Sequence, residues 1–346
     1  GAWGPRTPDV VPSVHTDSSG SRKVSVRYFA QRLARFFVVF FIVTFGLMIL
    51  LRLGMNAPGD PARTMLGGTV TDEQIAAANA RYHLDEPLVA QYFWWLKGMV
   101  TLDMGTSVQQ NIAVSTYIGS RVLVTLFLGL YSLLFAVIIA IPVAVFQAYR
   151  RDSRRDKVIS VVSFGLVSVP NVVMAVLMVL VFVRTLGWFP RTGEKIYPWD
   201  DPIEHFRNFA LPVFALTLPV AAVFTRLLRG DMIRTLQADF ITLASAKGVS
   251  VRRILWRHAL RNSLFSVLTS IGLQLSGVVG GAIVVEQLFN MKGMGTLLVI
   301  TILSKDLFVV QALAAIIVFV VVVVNLLVDL SYAAVDPRIR QMRSLG

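Results

Sequence analysis

The 346-residue chain contains no cysteine. Disulfide frameworks, thiolate metal sites and a cysteine nucleophile are excluded, and the redox compartment stays unread. Charge is scarce as well: 15% of residues are charged and 55% hydrophobic, where a soluble domain carries roughly 25% charged residues. No Gly-Lys dipeptide occurs anywhere, so there is no P-loop and no route to ATP hydrolysis through one. Neither G-x-S-x-G nor H-E-x-x-H is present, and no uncharged run holds a carboxylate pair. Enzyme chemistry is thus left without a site.

What the chain does have is a series of uncharged runs of 16 to 28 residues. A helix needs about 20 apolar residues to cross a bilayer. The expected fold is an all-α polytopic membrane protein with six transmembrane helices. The spans fall at about 30–53, 121–149, 158–184, 209–229, 263–286 and 307–331. Pro212 and Pro219 lie inside the fourth, where neighbouring helices can satisfy the freed carbonyls. With both termini placed in the cytoplasm, the inside segments hold 22 Lys/Arg against 8 Asp/Glu, and the outside ones 11 against 12. The positive-inside rule then accounts for the net charge of +13. No nucleic-acid partner is needed to explain it. Residues 1–24 are expected to be a disordered cytoplasmic tail, Pro-, Ser- and Gly-rich and without the apolar core of a signal peptide. Residues 341–346 form a short C-terminal tail.

Residues 55–120 make a long outer loop. Thr71 and Gln74 stand at capping-box spacing and predict a helix over 72–82. Glu86 and Pro87 open a second helix through about residue 100. Tyr92, Phe93, Trp94 and Trp95 cluster there, a pattern of headgroup-level aromatics or of a contact with an external partner. In the second outer loop, Asp200, Asp201, Glu204 and His205 offer metal-type donors. Without a second histidine at ligand spacing, they read as a solvated loop.

The loop at 230–262 is the informative one. Asp239 is expected to cap a short helix that Gly248 stops after Lys247. Such a helix, about two turns long, does not persist alone in water. Phe240 and Leu243 offer apolar anchors, and Ala244, Ser245 and Ala246 allow close approach of another backbone. This suits insertion into a groove on a partner protein. A second, basic helix follows over about 251–262, with Val251, Ile254, Leu255, Ala259 and Leu260 on one face. Contact with anionic headgroups would explain its arginines. It would not explain the small residues and the glycine before them.

The stretch D-F-I-x-x-A-x-A-K-G (239–248) followed by R-H-A-L-R-N (257–262) resembles the cytoplasmic loop of ABC-importer permeases of the dipeptide, oligopeptide and nickel group. Other stretches are similar to that group: Pro58-Gly59-Asp60-Pro61, 82–87, Gly105-Thr106-Ser107, 285–289 with Gly293-Met294-Gly295, and 332–338. The resemblance covers about residues 25–340, in order, and points to the permease type with a long first outer loop. Thr242, Ser245 and Leu102-Asp103 depart from the usual pattern. The resemblance implies a multi-pass protein of the bacterial cytoplasmic (inner) membrane. Its partners would be a second homologous permease, two ABC ATPases that bind the ATP and Mg, and an external solute-binding protein. No cofactor is expected in this chain. Asp239, Phe240, Leu243, Ala244, Ala246, Lys247 and Gly248 would form the coupling helix that docks the ATPase.

Peptides are the expected cargo, with nickel or another small solute of the same family as the alternative. A secondary transporter is a further alternative. It would bury ionisable groups in its spans, and these runs lack them. Asn171, Gln274 and Asn325 are polar within spans. Asn171, after Ser168 and Pro170, leads the pathway candidates Ser168, Asn171 and Gln274. Gly272, Ser276, Gly277, Gly280 and Gly281 read as small residues for close helix packing.

Overall fold

A computed structural model describes residues 18–54, 62, 70–190 and 196–335. The expected tails at 1–17 and 341–346, the Pro58-Gly59-Asp60-Pro61 stretch and residues 336–338 lie outside them. The helices are α1 (Ser18–Gly54), α2 (Asp72–Tyr82), α3 (Leu88–Thr101), α4 (Val114–Tyr149) and α5 (Arg154–Ser168). Then come α6 (Asn171–Met178, continuing as a π-helix over Val179–Thr185), α7 (Pro202–Leu236) and α8 (Asp239–Ala246). The last are α9 (Val251–Leu288), α10 (Met294–Leu303) and α11 (Leu307–Val335). Among the described residues no strand forms.

Five helices, α1, α4, α7, α9 and α11, are long and apolar enough to cross a membrane. The pair α5–α6 makes a sixth span if its two arms are counted together, but the arms meet at 104°. The third expected span is therefore not one straight helix. Pro170 has no N–H to continue the ladder, and it drives Val169 out of the helical region to φ −82°, ψ 121°. Pro142, Pro212 and Pro219, by contrast, lie inside α4 and α7 without breaking them.

Two further boundaries differ from expectation. α1 begins at Ser18, so residues 18–24 of the expected tail are helical; no proline interrupts the chain between Pro12 and Gly54. The basic helix at 251–262 and the fifth span are one continuous element, α9, with a π-helical stretch over Ile254–Ala259. The wider turn explains which residues face inward. Ile254 and Leu255 are buried, and so are Ala259 and Leu260 five positions on, while Val251 is exposed.

The core lies mainly between α4 and α7. Leu128, Ser132, Ala136, Ala140 and Ala144, each four residues apart, are fully buried. On the other side of α4, Leu126, Leu130, Leu134 and Ile138 are exposed at the same spacing. Small residues inward and large apolar residues outward is the pattern for close helix packing within lipid. Thr217 Oγ1 of α7 donates to the Ser132 carbonyl at 3.2 Å across that contact. α1 packs on α11 through aromatic edges: Phe36 and Phe40 each meet Phe319 with ring centroids about 6 Å apart.

Candidate functional site

α7 runs directly into the loop of interest. Its final turn closes with Gln237 N–H donating to the Arg234 carbonyl and Ala238 N–H to that of Thr235. Ala238 is the N-cap of α8, extended at φ −76°, ψ 148°, and no side chain caps the helix. Asp239 is the first helical residue, so the expected capping role is corrected. Its carboxylate complements the positive end of the helix from inside the first turn.

Gly248 ends α8 as the sequence predicts. It takes the left-handed φ of +76°, which glycine adopts without strain. Its N–H donates to the Ser245 carbonyl (3.0 Å), and the Val249 N–H to the Ala244 carbonyl (3.1 Å). This crossed pair is a Schellman closure.

One side chain of α8, Ile241, is buried, and the helix packs against the π-helical stretch of α9. Phe240 is 45% and Leu243 56% exposed. Ala244 is half-buried; Asp239, Ala246, Lys247 and Gly248 are exposed. The candidate docking residues are thus exposed or half-buried, and the two large apolar side chains among them are exposed.

The end of α7 that leads into α8, the platform from which the loop springs, is held by a polar network that the sequence alone did not reveal. Asp156, at the start of α5, is 2% exposed. It accepts from Arg229 Nε (2.8 Å) and Nη2 (2.6 Å), from Gln147 Nε2 (3.0 Å) and from the Asp152 N–H (3.0 Å). The two-pronged pair joins the α4–α5 turn to α7 two helical turns before its end. Thr235 and Ser263, hydrogen-bonded at 3.0 Å, tie that end to α9.

On the open side of the bundle, Asn171 and Gln274 line one cavity of about 210 Å³ with Leu216, Pro219, Val220 and Gly277. Ser168 does not join them. Its hydroxyl donates back to the Phe164 carbonyl (2.8 Å) of its own helix. Of the small residues in the fifth span, Gly281 permits the closest approach: a Cβ there would stand 2.5 Å from Asn171 Nδ2 and 2.9 Å from Leu216 Cδ2. Gly280 faces open space.

Other readings change with the structure in hand. His205 is buried rather than solvated. Its Nδ1–H donates to the Ile196 carbonyl (2.7 Å), leaving Nε2 to accept from the Tyr131 hydroxyl (3.2 Å). Asp201 caps α7 through the amides of Ile203 and Glu204, both at 3.0 Å. Tyr92 is buried and bonded to Thr44 of α1 (2.7 Å), so it joins α3 to α1 instead of facing headgroups. The stretch at 285–295 builds a second buried knot. Glu286 accepts from Thr125 Oγ1 (2.6 Å) and the Thr296 N–H (2.9 Å) at the start of α10. A Cβ on Gly293 would meet that carboxylate at 2.3 Å, so any larger residue there must displace the Glu286 side chain from these bonds.

Five long apolar helices, with a sixth bent pair, define a polytopic helical membrane protein. Residues 140–341 match the family described as the inner membrane component of binding-protein-dependent transport systems, and residues 25–116 match its N-terminal companion. The chain belongs to this family of membrane permeases, a component that is not itself catalytic. It is 37% identical over 300 residues to the oligopeptide transport system permease protein AppB of Bacillus subtilis (strain 168), covering 86% of this chain and 95% of that protein. It is 35% identical over 303 residues to the oligopeptide transport system permease protein OppB of Haemophilus influenzae, covering 87% and 95%.

Proposed function

We propose that this chain is one of two permease subunits in an ATP-driven importer of peptides, and that α8 is its coupling helix. The observation that carries the docking role is the exposed pair Phe240 and Leu243 on a two-turn helix with one buried side chain, Ile241. A helix this short needs packing to persist, and its outer face suits a groove on a partner. The peptide cargo follows from the names of the relatives. In this reading the side bearing α8 is cytoplasmic, two ATPases bind ATP and Mg there, and a solute-binding protein delivers peptide to the opposite side. Closure of the ATPases pushes on α8. The Asp156–Arg229 and Thr235–Ser263 links pass that push to α4, α5, α7 and α9 as one body. Asn171 and Gln274 line the path.

Reconstitution in liposomes tests this. Peptide uptake should require ATP, both ATPases and the second permease, and an ion gradient should not replace them. Uptake by this chain alone under an ion gradient would refute the reading.

A further inference from the structure

The end of the bundle opposite α8 holds a cavity of about 300 Å³ to which the docking role assigns nothing. α4 separates the two ends. Its first residue, Val114, donates its N–H to the carbonyl of Gly105 on the cavity wall, and Gln147 near its last turn contacts Asp156. Its 36 residues span about 54 Å.

The wall is basic and partly unsatisfied. Arg52, Arg81 and Lys97 line it, against Asp103. Arg52 is oriented by one edge of its guanidinium. Nη2 donates to Gln91 Oε1 at 2.7 Å, and Gln91 is itself held by donation to the carbonyls of Leu84 (2.8 Å) and Glu86 (2.7 Å). Arg52 Nη1 is buried and has no hydrogen-bond partner among the described residues. The same holds for Nε2 of Gln311, a residue only 9% exposed that lines the same cavity. Buried donors are satisfied in all but a few cases. Here two of them, one from α1 and one from α11, belong to residues that line a common space, and Asp103 on the same wall bonds neither. A guanidinium edge and a neutral N–H donor on one cavity wall suit a carboxylate, whose two oxygens can accept from both.

The remaining wall is aromatic and rigid. Trp94 stacks on His83 with centroids 4.3 Å apart, and Glu86 bonds both rings. Tyr82 lies against Phe308 at 4.2 Å. Such walls take an apolar side chain next to the anionic group.

We propose that this cavity binds the C-terminal residue of a peptide, with its carboxylate between Arg52 and Gln311 and its side chain against Trp94, Tyr82 and Phe308. The assignment builds on the peptide-import reading. An acidic side chain of the solute-binding protein presents the same chemical group, and the experiment separates the two sources.

The test uses the full chain in nanodiscs, titrated with the dipeptide Ala-Phe and with its C-terminal amide and followed by tryptophan fluorescence. The free acid should bind at least about 10-fold more tightly than the amide, the scale of one lost charge-assisted hydrogen bond. Arg52→Gln should remove that preference, and Gln311→Leu should reduce it several-fold. Arg52→Lys, which keeps the charge but not the fork, should restore part of it. Equal binding of acid and amide by the unaltered chain overturns the proposal without any variant. A preference intact in both Arg52→Gln and Gln311→Leu overturns the placement. Peptide uptake by the reconstituted importer separates this result from the cargo reading. An importer that takes up peptide while its permease treats acid and amide alike refutes only the cavity. A permease that prefers the acid within an assembly importing no peptide upholds the cavity and refutes the cargo reading, and the carboxylate that the cavity serves in the assembly is then the binding protein's.

Discussion

Replacing Asp156 by asparagine preserves its shape and removes the charge that Arg229 meets. The carboxylate has four donors around it: Nε and Nη2 of Arg229, Nε2 of Gln147 and the N–H of Asp152. An asparagine accepts through one oxygen and turns its amide toward one of these donors. Breaking a buried ion pair by removing one partner costs about 3–5 kcal/mol. Asp156 is 2% exposed but Arg229 is 27% exposed, so the guanidinium recovers some hydration. The expected loss falls to about 2–3 kcal/mol. Arg229→Leu leaves a buried carboxylate with two amide donors and should lose a similar amount. The double variant Asp156→Asn/Arg229→Leu should lose less than the two single losses together, with a coupling of about 2 kcal/mol. Unfolding of the purified chain in detergent, by denaturant and followed by tryptophan fluorescence, measures all four corners of the cycle. Coupling below about 0.5 kcal/mol, the level at which independent sites add, would show that the pair does not hold the α4–α5 turn to α7.

Two further predictions come from glycines with different surroundings. A Cβ on Gly295 would stand 2.6 Å from the Ile283 Cα; Gly295→Ala must move backbone and should destabilise the chain by about 1–3 kcal/mol, read from the same unfolding curves. Gly248 has open space around it, and what constrains it is its φ of +76°. Gly248→Asn, which tolerates that region, should keep most ATP-driven uptake, whereas Gly248→Val should abolish it without loss of membrane insertion. Equal uptake by the two variants would contradict the role given to the turn.

Where local chemistry decides a structure, the sequence showed it. Thr71 and Gln74 form the reciprocal capping box at the start of α2, and the helix covers the predicted 72–82. Gly248 stops α8 because no other nearby residue suits that φ. Where several outcomes satisfy the same local rule, the sequence was silent. Pro170 breaks a span, while Pro142, Pro212 and Pro219 do not. Asp239 met the rule for a cap, yet the turn after α7 placed Ala238 there. The candidate site was legible as a loop but not as a platform. Arg229 finds Asp156 across 73 residues of chain, and Thr125 finds Glu286 across 161. Neither partner carries a local mark of its role. Asn171 and Gln274 were each visible as polar groups in apolar runs, but not their meeting at one cavity, with Asn171 just past a 104° bend.

The docking role of α8 can be tested with one label, since the chain has no cysteine of its own. A Leu243→Cys variant, modified with a benzophenone maleimide and assembled with its ATPases, should give a photo-crosslinked adduct with an ATPase subunit. The same label on Leu130→Cys, on the exposed apolar side of α4, should give none. Absence of the adduct from position 243, or equal yields from the two positions, would contradict the claim that the exposed face of α8 is where the motor grips this protein.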